Sequence, residues 1–345
     1  PEECGICGRS ATWYGDFIAL SRGSRSLEPH ALAERMRRAT GADEVLLGER
    51  LQALWGGYGE LWRAELRSSA TTSHVVVKSV RPPRDDSSRS HRRKLRSYEV
   101  EQAFYTRYAA RCAEPPGCRV ARPVKLLAED GGWLFVLEDL DAAGFGERRH
   151  GASHIGATLR WLATFHARFL GTAPEGLWKV GTYWHLATRP DELGAMRHDA
   201  LRTAAPRIDA ALNGARFKTL VHGDAKLDNV CFGRDDEVAL VDFQYVGGGV
   251  GVKDVAYFLN GCLSPRECES LLPRYLDDYF RELSSALAGS ATVDVAALER
   301  EWRALFPLAW VDFYRFLLGW APGQFDRDPY SERLTREVLA GLRSG

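Results

Sequence analysis

A chain of 345 residues with 45% hydrophobic and 27% charged composition can bury a large core and exceeds what a single layer pair usually needs, so two lobes or two domains are expected. Its 46 basic and 46 acidic residues cancel. That excludes a global field drawing the protein to nucleic acid or anionic lipid, leaving small molecules as the expected partners.

The first 30 residues mix charges with aromatics instead of showing a signal peptide's apolar centre. No apolar run approaches the ~20 residues of a membrane helix. A cytoplasmic location without membrane contact is therefore expected, and no feature points to a particular oligomeric state. The seven cysteines, odd in number and scattered, read as reduced thiols. Cys4-Gly-Ile-Cys7 has the spacing of half a zinc site, but no second pair completes it. Residues 1–44 read as an N-terminal extension with room for a first helix.

Strand signals begin near residue 45 with LGERLQALW (47–55), ELWRAELR (60–67) and HVVVKSV (74–80). GGYG (56–59) separates the first two. Gly56, Gly57 and Gly59 either let backbone N–H groups close over phosphates or simply turn a hairpin. Trp62 occupies the third glycine's place of G-x-G-x-x-G, and no G-x-x-x-x-G-K-[ST] occurs. Lys78 lies in an apolar run, where an inward ammonium needs an anion; on the solvent face it would need none.

Residues 81–96 read as an exposed basic loop leading into a helix over SYEVEQAFYTRYAARC (97–112), with Glu101, Phe104, Tyr105 and Tyr108 along one side. Glu101 is the anion Lys78 would find, as the β3 lysine and αC glutamate of kinases pair. RVARPVKLLA (119–128) and GWLFVLEDL (132–140) follow as strands about a turn at 129–132. A hinge between lobes is expected near Glu138–Asp141.

Beyond residue 140, helical patterns dominate at 152–170, 192–213, 265–288, 294–304 and 306–319, interrupted by a strand-like pair at 219–222 and 237–243. The expected fold is α+β: a small N-lobe over 45–140, β-rich with one long helix, and a larger helical C-lobe over 141–345.

The chemistry concentrates in VHGDAKLDNV (221–230) and VDFQ (241–244). Phosphoryl transfer needs a metal held by carboxylate and amide oxygens, a group that orients the attacking hydroxyl, and cations over the phosphates. Asp224 and Asn229 keep the aspartate-to-asparagine spacing of the kinase loop H-R-D-x-x-x-x-N, with Gly223 in the arginine's place. Asp242 follows the apolar EVALV as the metal-binding aspartate of D-F-G follows its strand. HGD alone is an ordinary turn; the ordered set with His222 is the specific signal. Lys226 either reaches the transferring γ-phosphate or lies exposed on its loop. His166 in ATFHARF reads as a packed histidine rather than a base, Trp310 and Trp320 as core, and Gly247–Gly249 as a tight loop after the strand.

On the stretches LWGGYGELWRAEL, VVVKSV, EQAFY, FVLEDL, HGDAKLDN, VDFQYVGGGVGVKDVAYFL and WVDFYRFLLGW, the chain resembles the kinase-like small-molecule phosphotransferases, the superfamily of aminoglycoside and choline kinases. The ecdysteroid kinase-like (CHK kinase-like) family is the nearer match. The resemblance spans about residues 45–325 and implies a bilobal protein-kinase-like fold, ATP and Mg²⁺ as cofactors, and phosphorylation of a small molecule's hydroxyl. Carried onto this sequence, it implies Asp224 as the base, with Lys226 beside it, and Asn229 and Asp242 as metal ligands. Lys78 braced by Glu101, with Gly57 and Gly59, would hold phosphates, and the backbone at Glu138, Asp139 and Leu140 would meet the adenine. Asp254 would brace the catalytic loop, or serve as a helix N-cap. An aminoglycoside-type antibiotic kinase and a non-catalytic nucleotide-binding protein are the alternatives. Asp312 in WVDFY is the reserve candidate for the base.

Overall fold

The computed structural model describes residues 28–83, 86–115, 117–146, 152–290, 292–325 and 327–344. Cys4 and Cys7 lie outside the described residues. Helix α1 (Pro29–Thr40) opens them, with a proline in its first turn and Gly41 at φ 74° closing its end. Strands β1 (Glu44–Ala53), β2 (Gly59–Ser68) and β3 (Thr71–Val80) follow as an antiparallel meander. Helix α2 (Arg89–Arg107) comes next, then β4 (Arg119–Val120), β5 (Pro123–Glu129) and β6 (Gly132–Glu138). Asp130 and Gly131, at φ 52° and 73°, make the two-residue turn joining β5 to β6. The five-stranded sheet runs β1-β2-β3-β6-β5.

Side-chain alternation along β3 gives this sheet two different faces. Val75 and Val77 point toward α1, where they pack with Leu32, Met36, Leu134 and Val136. Lys78, one step out of phase with Val77, shares the opposite face with its cross-strand partner Phe135. Phe135 and Val80 belong to a second core that includes Phe104 and Tyr105 of α2 and continues without a break into the helical half.

That half contains α3 (Ala152–Arg168), α4 (Pro190–Ala195), α5 (Asp199–Asn213), α6 (Val252–Cys262), α7 (Pro265–Ala286), α8 (Val295–Trp320) and α9 (Pro329–Ser344). Its short strands are β7 (Thr219–Val221), β8 (Val230–Phe232), β9 (Val238–Leu240) and β10 (Gly247–Gly249). The expected α+β architecture is present, with local differences. Helix α2 begins at Arg89 rather than Ser97, because Ser88 caps it by accepting from the His91 N–H at 3.1 Å. The pattern over 192–213 is broken at Met196–His198, where His198 Nδ1 accepts from the Leu201 N–H at 3.2 Å and caps α5. The two helices expected at 294–304 and 306–319 are one: α8 runs through Pro307, with Phe306, Ala309 and Trp310 buried around it. A proline inside a helix costs about 3 kcal/mol, which the burial of Phe306 and Trp310 offsets.

The strands that precede the HGD and DFQ stretches lie in different sheets. Strand β7 pairs with β10, and β9 lies between β8 and β4. The Gly247–Gly249 run is thus a strand, not a loop, and it has no room for side chains: a Cβ on Gly247 would lie 2.3 Å from Trp178 O. Trp310 is buried, whereas Trp320 is 38% exposed, against the expectation that both are core. Among the described residues, no helix is long and apolar enough to cross a membrane, and Cys112, Cys118, Cys231, Cys262 and Cys268 are free thiols.

Candidate active site

The site assembles where α2, the sheet and the loops after β7 and β9 meet. Lys78 Nζ lies 2.9 and 2.8 Å from the two Glu101 carboxylate oxygens and 3.1 Å from Asp242 Oδ1. The inward reading of Lys78 is the observed one. Burial works against the ammonium, but Asp242 and Glu101 outweigh it and raise the Lys78 pKa. Burial raises that of Glu101, with Lys78 opposing. At Asp242 burial again favours the neutral form, yet Lys78 and Lys94 prevail and hold the carboxyl below its usual range. Asp242 therefore stays an anion. Its side chain is 35% exposed.

Asp242 has φ 65°, a left-handed conformation that an aspartate adopts only when its surroundings hold it there. Phe243 supplies that hold, stacking on Phe104 of α2 with ring centroids 3.8 Å apart. The apolar stripe read from the sequence thus both buries α2 and fixes the Asp242 turn.

The loop after β7 is fixed from below. Asp254, inside α6, accepts from the His222 N–H at 2.6 Å and the Gly223 N–H at 2.9 Å, and its carboxylate also meets His166 Nε2 at 3.1 Å. It is the brace and not an N-cap, a position held by Gly251. His166 is buried between Asp254 and Tyr279, a packed histidine as expected. Gly223 has φ 80°, and a Cβ there would sit 2.2 Å from Tyr245 O, so the arginine of the kinase motif has no space here. His222 Nδ1 accepts from the Asp224 N–H at 3.2 Å, which places the ring proton on Nε2, 3.1 Å from Val241 O. Burial lowers the His222 pKa, so this ring is a neutral strut linking the two motifs.

Asp224 is 9% exposed and receives hydrogen bonds from Tyr257 Oη at 2.9 Å and Asn229 Nδ2 at 3.2 Å. Burial raises its pKa to about 6, Lys226 lowers it, and Asp242 raises it further. A carboxylate tuned in this way can take a proton near neutral pH. Asn229 Nδ2 also donates to Asp224 O at 2.8 Å, which commits its amide hydrogens and leaves Oδ1 as an oxygen donor. Lys226 is partly exposed, with Nζ 3.9 Å from Asp228 Oδ2. The reserve base, Asp312, accepts from Arg315 and from Trp184 Nε1, and Lys253 lies at 3.6 Å. Burial favours its neutral form, but Arg315 and Lys253 outweigh this and lower its pKa. It is a structural anion.

Gly56 and Gly57 have φ 70° and 74°, shaping the loop between β1 and β2. Gly59 has a packing reason of its own: a Cβ there would lie 1.9 Å from Ser79 O of β3. The Glu138 side chain bonds Arg122 and pairs with Arg119, while Asp139 pairs with Arg63. The Glu138 and Asp139 N–H groups donate to Arg122 O and His74 O. Among the described residues, the Leu140 N–H donates to no protein group.

Two features escaped the sequence reading. Lys94 and His91 fall in the stretch expected as an exposed loop, yet they lie on α2 in line with Tyr98 and Glu101. Tyr58, the non-glycine of GGYG, is buried with its hydroxyl 2.6 Å from His91 Nδ1. The available signal was Lys94's place two turns before Glu101 on one helical face, in a chain with only seven lysines.

A bilobal α+β fold whose cleft gathers a buried Lys–Glu pair, an acid–amide loop and a second aspartate defines a kinase-like phosphotransferase. A family model described as APH, phosphotransferase enzyme family, matches residues 68–293, and the chain belongs to that family. No curated protein matches it. Among solved structures it is similar to amicoumacin kinase hAmiN in complex with AMP-PNP, Ca²⁺ and Ami, at a TM-score of 0.51 and 14% identity, covering 91% of this chain and 94% of that one. Aminoglycoside-3'-phosphotransferase of type VIII gives 0.45 at 17% identity, with 80% and 97% covered. APH(3'')-Id from Streptomyces rimosus, in complex with ADP and streptomycin, gives 0.46 at 17%, with 82% and 99% covered. The first of these shows a shared fold.

Proposed function

We propose that the protein transfers the γ-phosphate of ATP to a hydroxyl of a small molecule, with Mg²⁺ as the metal. The observation that carries this reading is Lys78 bonded at once to Glu101 and to Asp242, beside a buried Asp224 tied to Asn229. Lys78, held straight by Glu101, positions the α- and β-phosphates. The Leu140 N–H serves the adenine edge, and the loop at Gly56–Gly59 covers the phosphates. Asp224 orients the acceptor hydroxyl and receives its proton, while Lys226 stands next to the transferring group.

The donor set fits a hard divalent cation that shares nucleotide phosphates. Among the described residues no cluster of three or more His, Cys, Asp or Glu could hold a metal by itself. Asp242 and Asn229 Oδ1 supply the two oxygens that such a site takes from protein. Bound there, Mg²⁺ would neutralise charge on the phosphate oxygens. The finer kinship with ecdysteroid kinase-like enzymes rests on the motifs alone.

The test is a γ-phosphate transfer screen with ATP and Mg²⁺ against hydroxyl-bearing metabolites, with aminoglycosides as one panel and AMP-PNP binding measured in parallel. Transfer to a hydroxyl metabolite is the expected result, and transfer confined to aminoglycosides would make this an antibiotic kinase. Nucleotide binding without transfer to any acceptor would favour a non-catalytic protein. Absence of Mg²⁺-dependent AMP-PNP binding would overturn the reading altogether.

A further inference from the structure

Lys94 stands apart from the other cleft lysine in how it is held. Lys94 Nζ lies 3.4 Å from Gln244 Oε1 and 5.3 Å from the centroid of the Tyr98 ring. Among the described residues no carboxylate lies within ion-pair distance of it, whereas Lys78, on the facing strand, has two. Gln244 Oε1 is shared, since Ser97 Oγ also donates to it at 3.1 Å. Lys94 is thus held in place by a neutral oxygen and an aromatic face. That arrangement orients an ammonium without neutralising it.

Helical geometry shows where this charge is aimed. At 100° per residue, His91, Lys94, Tyr98 and Glu101 fall on one side of α2. The lower end of this line, Glu101, bonds Lys78. The upper end, His91, bonds the hydroxyl of Tyr58 from the glycine loop. Lys94 sits between these contacts, beneath the loop and beside the DFQ turn. The charged groups it feels across the cleft are Asp242, Lys78, Glu101 and Asp224. Burial is the largest influence on its ammonium and lowers the pKa to about 8, with Lys78 acting in the same direction and the carboxylates opposing. A half-buried cation that repels its neighbouring lysine and has no carboxylate at ion-pair distance among the described residues is suited to a multiply charged anion arriving from solution.

We infer that Lys94 is a second phosphate-binding lysine, contributed by α2 rather than by the sheet, which grips the polyphosphate end of the nucleotide together with Lys78. This rests on the nucleotide-binding reading above and adds a residue to it. The Tyr58–His91 contact ties the glycine loop to the same helix, so loop and lysine approach the phosphates as one unit.

The test is binding of Mg²⁺–AMP-PNP, Mg²⁺–ADP and adenosine to the wild type, Lys94→Met and Lys94→Arg, by calorimetry, with melting temperature as the folding control. Lys94→Met should lose about tenfold to a hundredfold in AMP-PNP affinity, the worth of one charge-assisted hydrogen bond. It should lose less for ADP and nothing for adenosine, and Lys94→Arg should recover most of the loss. Unchanged AMP-PNP binding in Lys94→Met would overturn the assignment. So would an equal loss for adenosine, which would mark Lys94 as a packing residue. If Lys94→Met does not fold, Lys94→Gln carries the same comparison. If the wild type binds adenosine and AMP-PNP equally well, the polyphosphate role fails; if it binds neither, the nucleotide reading itself is wrong.

Discussion

Lys78 and Glu101 look symmetric in the sequence, but their surroundings are not. Lys78 has two carboxylate partners, whereas Glu101 has only Lys78 as a charged hydrogen-bond partner among the described residues. Lys78→Ala therefore strands a fully buried carboxylate, a loss of about 3–5 kcal/mol, while Glu101→Ala leaves Lys78 with Asp242 and should cost less. Urea unfolding of both single mutants and the double mutant checks this order. Their coupling should exceed about 0.5 kcal/mol, and strict additivity would refute the pair. Asp224 presents the opposite case, an anion held where its charge is unfavourable. Asp224→Asn should retain AMP-PNP binding and slow transfer by about 10²–10⁴-fold. In the wild type, turnover should rise with pH through about 6, where burial has placed this carboxyl, and then level off. The stability sign is reversed: with a folded pKa above the unfolded value of about 3.9, the folded state binds the proton more tightly and stability falls as pH rises toward 6. Asp224→Asn should accordingly melt no lower than the wild type at pH 7.5. A lower melting temperature would mean that its bonds to Tyr257 and Asn229 dominate the desolvation cost.

At the scale of elements, legibility followed the physical signal. The β3 lysine, the α2 glutamate and the two motif loops were legible because each requires a particular residue in a short local context. The start of α2 was hidden by its basic first turns, where exposed arginines mask the face that carries His91 and Lys94. Pro307 suggests a break that the packing of α8 overrides, and the pairing of β4 with β9 is a parallel one between segments far apart in the chain, which no local pattern encodes. The HGD loop was legible, but its support was not distinguishable from a cap until Asp254 appeared beneath two of its N–H groups. Asp254→Ala removes both bonds and one of the two partners of His166. It should destabilise the protein by on the order of 3 kcal/mol, since each bond to a charged acceptor contributes about 1.5–3. Turnover should fall with it, because the Asp224 backbone is set by His222 and Gly223. Unfolding midpoints and kcat, measured together, check this, and a variant as stable and active as wild type would show that the loop is held by its strands alone.

For the whole molecule, the decisive feature is that the two halves do not have separate cores. The larger cluster runs from Val80 and Phe135 of the sheet through Phe104 and Phe243 to Trp184 and Phe313 in the helical half, while α1 and the outer sheet face form a small second cluster. Strand β4, which precedes β5 of the N-terminal sheet, is hydrogen-bonded to β9 beyond the site. Opening one half would expose the partners of the other, so the lobes should unfold together despite the length of the chain. A single heat-capacity peak is expected. Mg²⁺ and AMP-PNP together should raise its temperature in proportion to the logarithm of nucleotide concentration, while AMP-PNP with EDTA should raise it little. The nucleotide contacts Lys78 on the sheet and Asp242 beyond it in the proposed mode, so one ligand would stabilise both halves at once. Two resolved peaks, only one of them moving with ligand, would show instead that the cleft is a boundary between independent domains and that Phe104 on Phe243 is a contact rather than a shared core.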